Sequence, residues 1–135
     1  MSLIKWSNDL SINVQEIDDQ HQKLVDMINS LHKAMNDGQS QQIIGKIIKN
    51  MVEYTESHFQ LEENYFEQFN YDLRDEHKKE HDQFIEKAQK LQNDYFEGSI
   101  RIGIETMQFL KEWLVDHIMV SDKKFVQCFH ENDIV

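Results

Sequence analysis

Five histidines and two carboxylates in this chain stand at spacings that suit metal ligation. His58 precedes Glu62 by four residues in "HFQLEE", and His77 precedes His81 by four in "HKKEH". Four residues make about one turn of α-helix, so each pair would present both donors on one face. His117 is followed by Asp122 five residues on, in "HIMVSD", and His21 closes the run "IDDQH". Any one pair is weak evidence. With seven histidines and 25 acids in 135 residues, chance alone gives roughly one His-x-x-x-acid and about 0.3 His-x-x-x-His. The question is whether the elements that carry these residues bring them to one place.

The chain breaks at "NDGQS" (36–40), "FNYD" (69–72) and "FEGS" (96–99). Ser40, Asp72 and Ser99 are the N-caps that the pattern offers, and Gly98 is a C-terminal stop. The breaks predict helices near 18–37, 40–68, 72–97 and 99–119, with a short tail helix near 121–130. Each carries a seam of alternating three- and four-residue steps. The seams read His21, Leu24, Ile28, Leu31, Met35; then Ile44, Ile48, Met51, Thr55, His58, Glu62, Tyr65, Phe69; then His77, His81, Phe84, Ala88, Leu91, Tyr95; then Thr106, Leu110, Trp113, His117. The histidines continue the apolar stripes instead of lying on the charged faces. His32 and His130 fit no seam and read as surface residues.

Short connections make successive helices antiparallel. The expected fold is all-α: an up-down-up-down four-helix bundle, with an N-terminal arm and a short C-terminal helix, forming a single domain over 1–135. One end of such a bundle collects the start of the first helix, the end of the second, the start of the third and the end of the fourth. At about 1.5 Å per residue, His21, His58, Glu62, His77, His81 and His117 fall within roughly 15 Å of that end. Five imidazoles buried together without a metal would leave unpaired polar groups costing about 1–3 kcal/mol each.

Six ligands complete an octahedral ion, and five histidines, Glu62 and a further acid exceed that number. Two ions bridged by carboxylates fit better. Asp122 is the natural further acid, but five residues of regular helix place it about 140° from His117. The pair converges only if the helix breaks or bulges, so irregular geometry is expected within 118–122, with Ser121 as a cap for the tail helix. No cysteine joins the set, which argues against structural zinc and iron–sulfur sites. Imidazole and carboxylate suit iron, and also zinc, manganese or nickel.

The formal net charge of −11 gives no basic footprint for nucleic acid and disfavours an anionic membrane surface. No stretch reaches the roughly 18 apolar residues of a membrane span, and "MSLIKWSNDLSINV" lacks a signal-peptide core. The single cysteine, Cys128, fits a reducing compartment. A cytoplasmic protein is expected.

The runs "IDDQH" (17–21), "HFQLEE" (58–63), "HKKEH" (77–81) and "HIMVSD" (117–122), with Trp6 in the N-terminal arm, resemble the hemerythrins, in particular the single-domain bacteriohemerythrins. The resemblance covers nearly the whole chain. It implies a non-haem di-iron centre that binds dioxygen reversibly, as carrier, store or scavenger. By that resemblance His77, His81 and His117 hold one iron and His21 and His58 the other. Glu62 and Asp122 bridge them, with an oxo or hydroxo as third bridge. The two-histidine iron keeps an open position, where dioxygen is held as a hydroperoxide. Leu24, Phe59, Trp113, Leu114 and Ile118 match positions that line the family's dioxygen pocket; each also reads as plain core packing. Family members often carry a proline soon after the histidine matching His117, and this chain has none.

The resemblance makes the chain an oxygen-binding protein and not an enzyme, and leaves peroxidase side activity open. Di-iron oxidase, peroxidase or nitric oxide chemistry is the competing reading, and oxygen or redox sensing through a partner a third. Iron storage or metal buffering is a fourth. The partner is dioxygen itself, with a separate oxygen-accepting or reductase protein left open.

Overall fold

The computed structural model describes residues 4–96 and 100–135. Its helices are α1 (Gln15–Asn36), α2 (Gln41–Gln68), α3 (Arg74–Phe96), α4 (Ile100–Asp116) and α5 (Lys123–Glu131), with a π-helical segment (His117–Asp122) joining the last two. A short 3-10 turn at Asn8–Leu10 lies in the N-terminal arm. Among the described residues there is no strand, and no helix is long and apolar enough to cross a membrane. The helices α1 to α4 each pack on their neighbours in sequence, α1 meets α4 to close the ring, and α5 packs on the π-helical segment. The four-helix expectation is met, with ends that differ from the expected ones by a few residues.

The helix ends follow from local chemistry. Ser40 Oγ accepts from the Ile43 amide at 3.2 Å and so caps α2. At the end of α1, Gly38 turns left-handed at φ +67°. That lets the Gln39 and Gly38 amides bond back to Ala34 and Met35 at 3.0 and 3.2 Å. Asn70, at φ +56°, ends α2 in the same way, with Tyr71 and Asn70 amides bonding to Phe66 and Glu67 at 2.9 and 3.4 Å. The Tyr71 ring then packs on Phe66, 5.0 Å between centroids. The helix α3 starts at Arg74, two residues after the expected Asp72. Gly98 and Ser99, and the side chain of Thr106, lie outside the described residues.

The seams point inward except at Met35, Tyr65, Phe69 and Trp113, which are half-buried; at the end of α2 Phe66, off the expected seam, is the buried residue. Leu24, Ile28, Leu31, Ile48, Met51, Phe84, Ala88, Leu91 and Leu110 are all fully buried. The arm is tied to α1 at two points. The Asn29 amide exchanges two 2.8 Å hydrogen bonds with the Ile4 backbone, and Asp18 accepts from Ser11 Oγ at 2.6 Å and the Ile12 amide at 2.8 Å. His130 is exposed and reaches the Asn13 carbonyl at 2.9 Å, joining tail to arm. His32 is half-buried and bonded to Asn36; neither joins the histidine layer.

Candidate metal centre

All seven expected donors are buried, none more than 3% exposed. They form two groups that share a residue: Glu62, His77, His81, His117 and Asp122 in one, His21, His58 and Glu62 in the other. Each helix contributes as its seam requires. His21 comes from the second turn of α1, His58 and Glu62 from the last third of α2, and His77 and His81 from the first two turns of α3. His117 and Asp122 bound the π segment. That segment answers the spacing problem: its wider turn brings residues five apart into line, where a regular α-helix would splay them. The expected irregularity falls where the chemistry needs it. Ser121 does not cap the tail helix as expected; its hydroxyl donates to Glu80 Oε1 at 2.6 Å instead, because the continuous helical backbone there leaves no N-terminus to cap.

The two carboxylates divide their oxygens between the groups. Glu62 Oε2 lies 2.9 Å from His58 Nε2 and 3.3 Å from His21 Nε2. Its Oε1 lies 3.1 Å from His81 Nε2 and 3.6 Å from His77 Nε2. Asp122 Oδ2 lies 3.1 Å from His21 Nε2, while its Oδ1 lies 2.8 and 2.9 Å from His77 and His117 Nε2. One oxygen of each carboxylate therefore faces the two-histidine side, and the other faces the three-histidine side.

The protons show that these residues fit metal ions. His58 Nδ1 donates to Gln20 Oε1 at 2.6 Å, His81 Nδ1 to Glu63 Oε2 at 3.0 Å, and His117 Nδ1 to Glu80 Oε1 at 3.2 Å. The carboxylates of Glu63 and Glu80 and the amide oxygen of Gln20 can only accept, so each imidazole proton sits on the outward nitrogen. The inward Nε2 lone pairs of His58, His81 and His117 then face carboxylate oxygens, acceptor against acceptor. Those nitrogens, His77 Nε2 and all four oxygens of Glu62 and Asp122 are buried with only one another to face. Such a cluster is stable only with extra protons on the imidazoles or with cations between the donors.

The electrostatics say where those protons go in the metal-free protein. Burial pulls His21 down, but bonds to Asp122 and Glu62 outweigh it and lift the group to about 9. Burial likewise opposes His117, and the Asp122 charge, with bonds to Asp122 and Glu80, raises it to about 10. His77 is raised in the same way, against burial, by Asp122 and Glu62. His58 goes the other way, because burial exceeds the pull of Glu62. Burial opposes ionisation of Glu62 and Asp122, yet the surrounding imidazoles hold both well below the usual carboxylate range.

Aromatic rings brace the imidazoles. Phe59 stacks on His81 at 3.7 Å and 3°, and Trp113 on His117 at 4.4 Å and 13°. Phe59, Leu24, Leu114 and Ile118 are buried, and Trp113 is half-buried beside a surface cavity that also touches Glu80, His117 and Ser121. Gln20, Glu63 and Glu80 escaped the reading of the sequence. Their one signal is adjacency, since each stands next to an inward donor.

Fold and site together define a class: a helical bundle whose core holds two overlapping sets of imidazole and carboxylate donors, suited to two metal ions. Residues 13–129 match the Hemerythrin HHE cation binding domain, and the chain belongs to the hemerythrin family, which uses a di-iron centre. It is 36% identical over 126 residues to the bacteriohemerythrin of Pseudomonas aeruginosa (strain LESB58), covering 93% of this chain and 81% of that one. It is 33% identical over 129 residues to the bacteriohemerythrin of Methylococcus capsulatus, covering 95% and 98%. The crystal structure of wild-type hemerythrin superposes with a TM-score of 0.86 at 32% identity, over 94% of this chain and 98% of that one.

Proposed function

We propose that this protein binds dioxygen reversibly at a di-iron centre, as a carrier, store or scavenger. The observation that carries the reading is the split of Glu62 and Asp122 between two histidine groups. His77, His81 and His117 with one oxygen from each carboxylate offer five donors to one iron. His21 and His58 with the other two oxygens offer four to its neighbour. The four-donor position keeps more room for an exogenous ligand. When bound, the iron pair supplies the electrons that reversible dioxygen binding requires.

The chain's own residues set the conditions. Neutral imidazoles dominate the donor set, and the Glu-x-x-His pairs of oxygen-activating ferritin-like bundles are absent from the sequence. Fewer anionic ligands stabilise high-valent iron less, which favours binding over oxidation chemistry. Leu24, Phe59, Trp113, Leu114 and Ile118 line the dioxygen side in this reading. An apolar lining limits proton delivery and keeps the bound gas releasable. Residues 1–135 act as one domain in this reading, in the cytoplasm, with a separate protein as oxygen acceptor or reductant.

The test is to reduce the iron-loaded protein without air, admit air, and follow the visible spectrum beside an iron count. Two irons per chain and a charge-transfer band that vanishes on deoxygenation support the proposal. Irreversible oxidation with two irons bound shifts the function to a redox enzyme. Failure to take up iron removes the metal reading altogether.

A further inference from the structure

Three imidazoles are held from outside in a regular way. Gln20 of α1 accepts from His58 of α2, Glu63 of α2 from His81 of α3, and Glu80 of α3 from His117 just beyond α4. Each acceptor stands one residue from an inward donor of its own helix: Gln20 beside His21, Glu63 beside Glu62, Glu80 beside His81. One residue is about 100° around a helix, so a side chain next to an inward donor crosses the seam toward the following helix. Ser121 holds the last acceptor in place through its 2.6 Å bond to Glu80. All three acceptors keep part of their surface in solvent, the Glu63 side chain 20% and the Glu80 side chain 39% exposed.

The ring is uneven. Both carboxylates stand behind the three-histidine group, and the amide of Gln20 stands behind the two-histidine group. A carboxylate that accepts an imidazole proton makes the opposite nitrogen a stronger donor than an amide does. We propose that Gln20, Glu63 and Glu80 are positioning residues for the metal-facing imidazoles, and that their uneven charge makes the three-histidine position the first to fill and the last to empty. This rests on the metal reading above. The inner donors already favour that position by one imidazole nitrogen, so the outer contribution must be isolated by variants that leave the inner set intact.

The experiment titrates metal-free protein with cobalt(II) under anaerobic conditions, against a competing chelator, and follows the cobalt d–d bands. Wild-type protein is expected to bind in two steps. Glu63→Gln and Glu80→Gln keep the shape and an acceptor oxygen but remove the charge. Each is expected to weaken the first step about 10–100-fold and to leave the second in place. Gln20→Glu is expected to strengthen the second step, a gain that a merely structural hydrogen bond would not give. Circular dichroism of the metal-free variants verifies that each is folded. Loading of all three variants like wild type, or equal weakening of both steps, overturns the proposal while the metal site stands. Wild-type protein that binds no cobalt overturns the metal reading and this proposal with it.

Discussion

Loading the site with two divalent ions should expel at least about two protons per chain at neutral pH. The perturbation is metal addition to the metal-free protein, and the expectation comes from the charges described above. Glu62 and Asp122 are held ionised. Against those two negative charges stand His21, raised to about 9, and His117, raised to about 10. At pH 7 both carry a second proton, and His77, also raised, adds to that count, so the buried cluster is close to neutral. A metal ion needs the bare Nε2 of each imidazole, so binding displaces those protons. With two protons released, the product of the two metal-binding constants rises about 100-fold per pH unit near neutrality. The slope falls to about tenfold per unit once pH passes the His21 value, and flattens past that of His117.

The assay is titration calorimetry with zinc at pH 7 in buffers of different ionisation enthalpy. The slope of apparent enthalpy against buffer enthalpy counts the protons released. A slope of about two or more is expected on this count. A slope near zero would refute the reasoning, because it would mean that the imidazoles face the carboxylates already neutral. The same shifts fix the sign for the metal-free fold. A raised histidine contributes stability that is fully present below the ordinary value of 6.5 and lost as pH rises through about 9 to 10. The lowered carboxylates contribute stability present above their ordinary values of 4.5 and 3.8 and lost as pH falls. Metal-free protein should therefore be most stable between those limits, in weak acid, as urea midpoints across pH would show.

Other outcomes follow from single positions. Asp122→Asn removes a fully buried partner of His21, His77 and His117. It should cost the metal-free fold about 3–5 kcal/mol in urea unfolding; an unchanged midpoint at pH 7 would count against the ion pairing. Ile118→Ala empties a fully buried position beside His117, costing about 2–5 kcal/mol. If the proposed lining limits proton delivery, it should also speed air oxidation of the reduced iron form, read from the visible spectrum. Gly38→Ala meets no atom within 4 Å of its new Cβ but sits at φ +67°. Backbone strain alone should then lower stability by about 1 kcal/mol, and an unshifted thermal midpoint would refute the left-handed stop as a constraint.

The parts of this molecule that were legible in the sequence are those governed by one helix at a time. The seams could be read because 3.6-residue periodicity reports which face is buried, and His77 and His81 lay on that face despite their charged neighbours. The π segment could be read because a five-residue interval between His117 and Asp122 cannot converge on a regular helix; a local contradiction required a local irregularity. Ser40 was legible as a cap for the same reason, since its partner Ile43 is three residues away. What failed to show depends on two helices. Ser121 looked like a cap because its local pattern allows one, but its hydroxyl finds Glu80 across the bundle. Gln20, Glu63 and Glu80 were not singled out, because polar side chains beside a seam are ordinarily solvated. Their role follows only when the helix order is known and each is turned about 100° from an inward donor toward its neighbour. Adjacency then becomes informative: once an antiparallel bundle and its inward ligands are assigned, a polar residue beside a ligand is the first place to look for what holds the next helix's imidazole. The direction of each bond here, from the histidine of the later helix to the acceptor on the earlier one, is the form such a search would take.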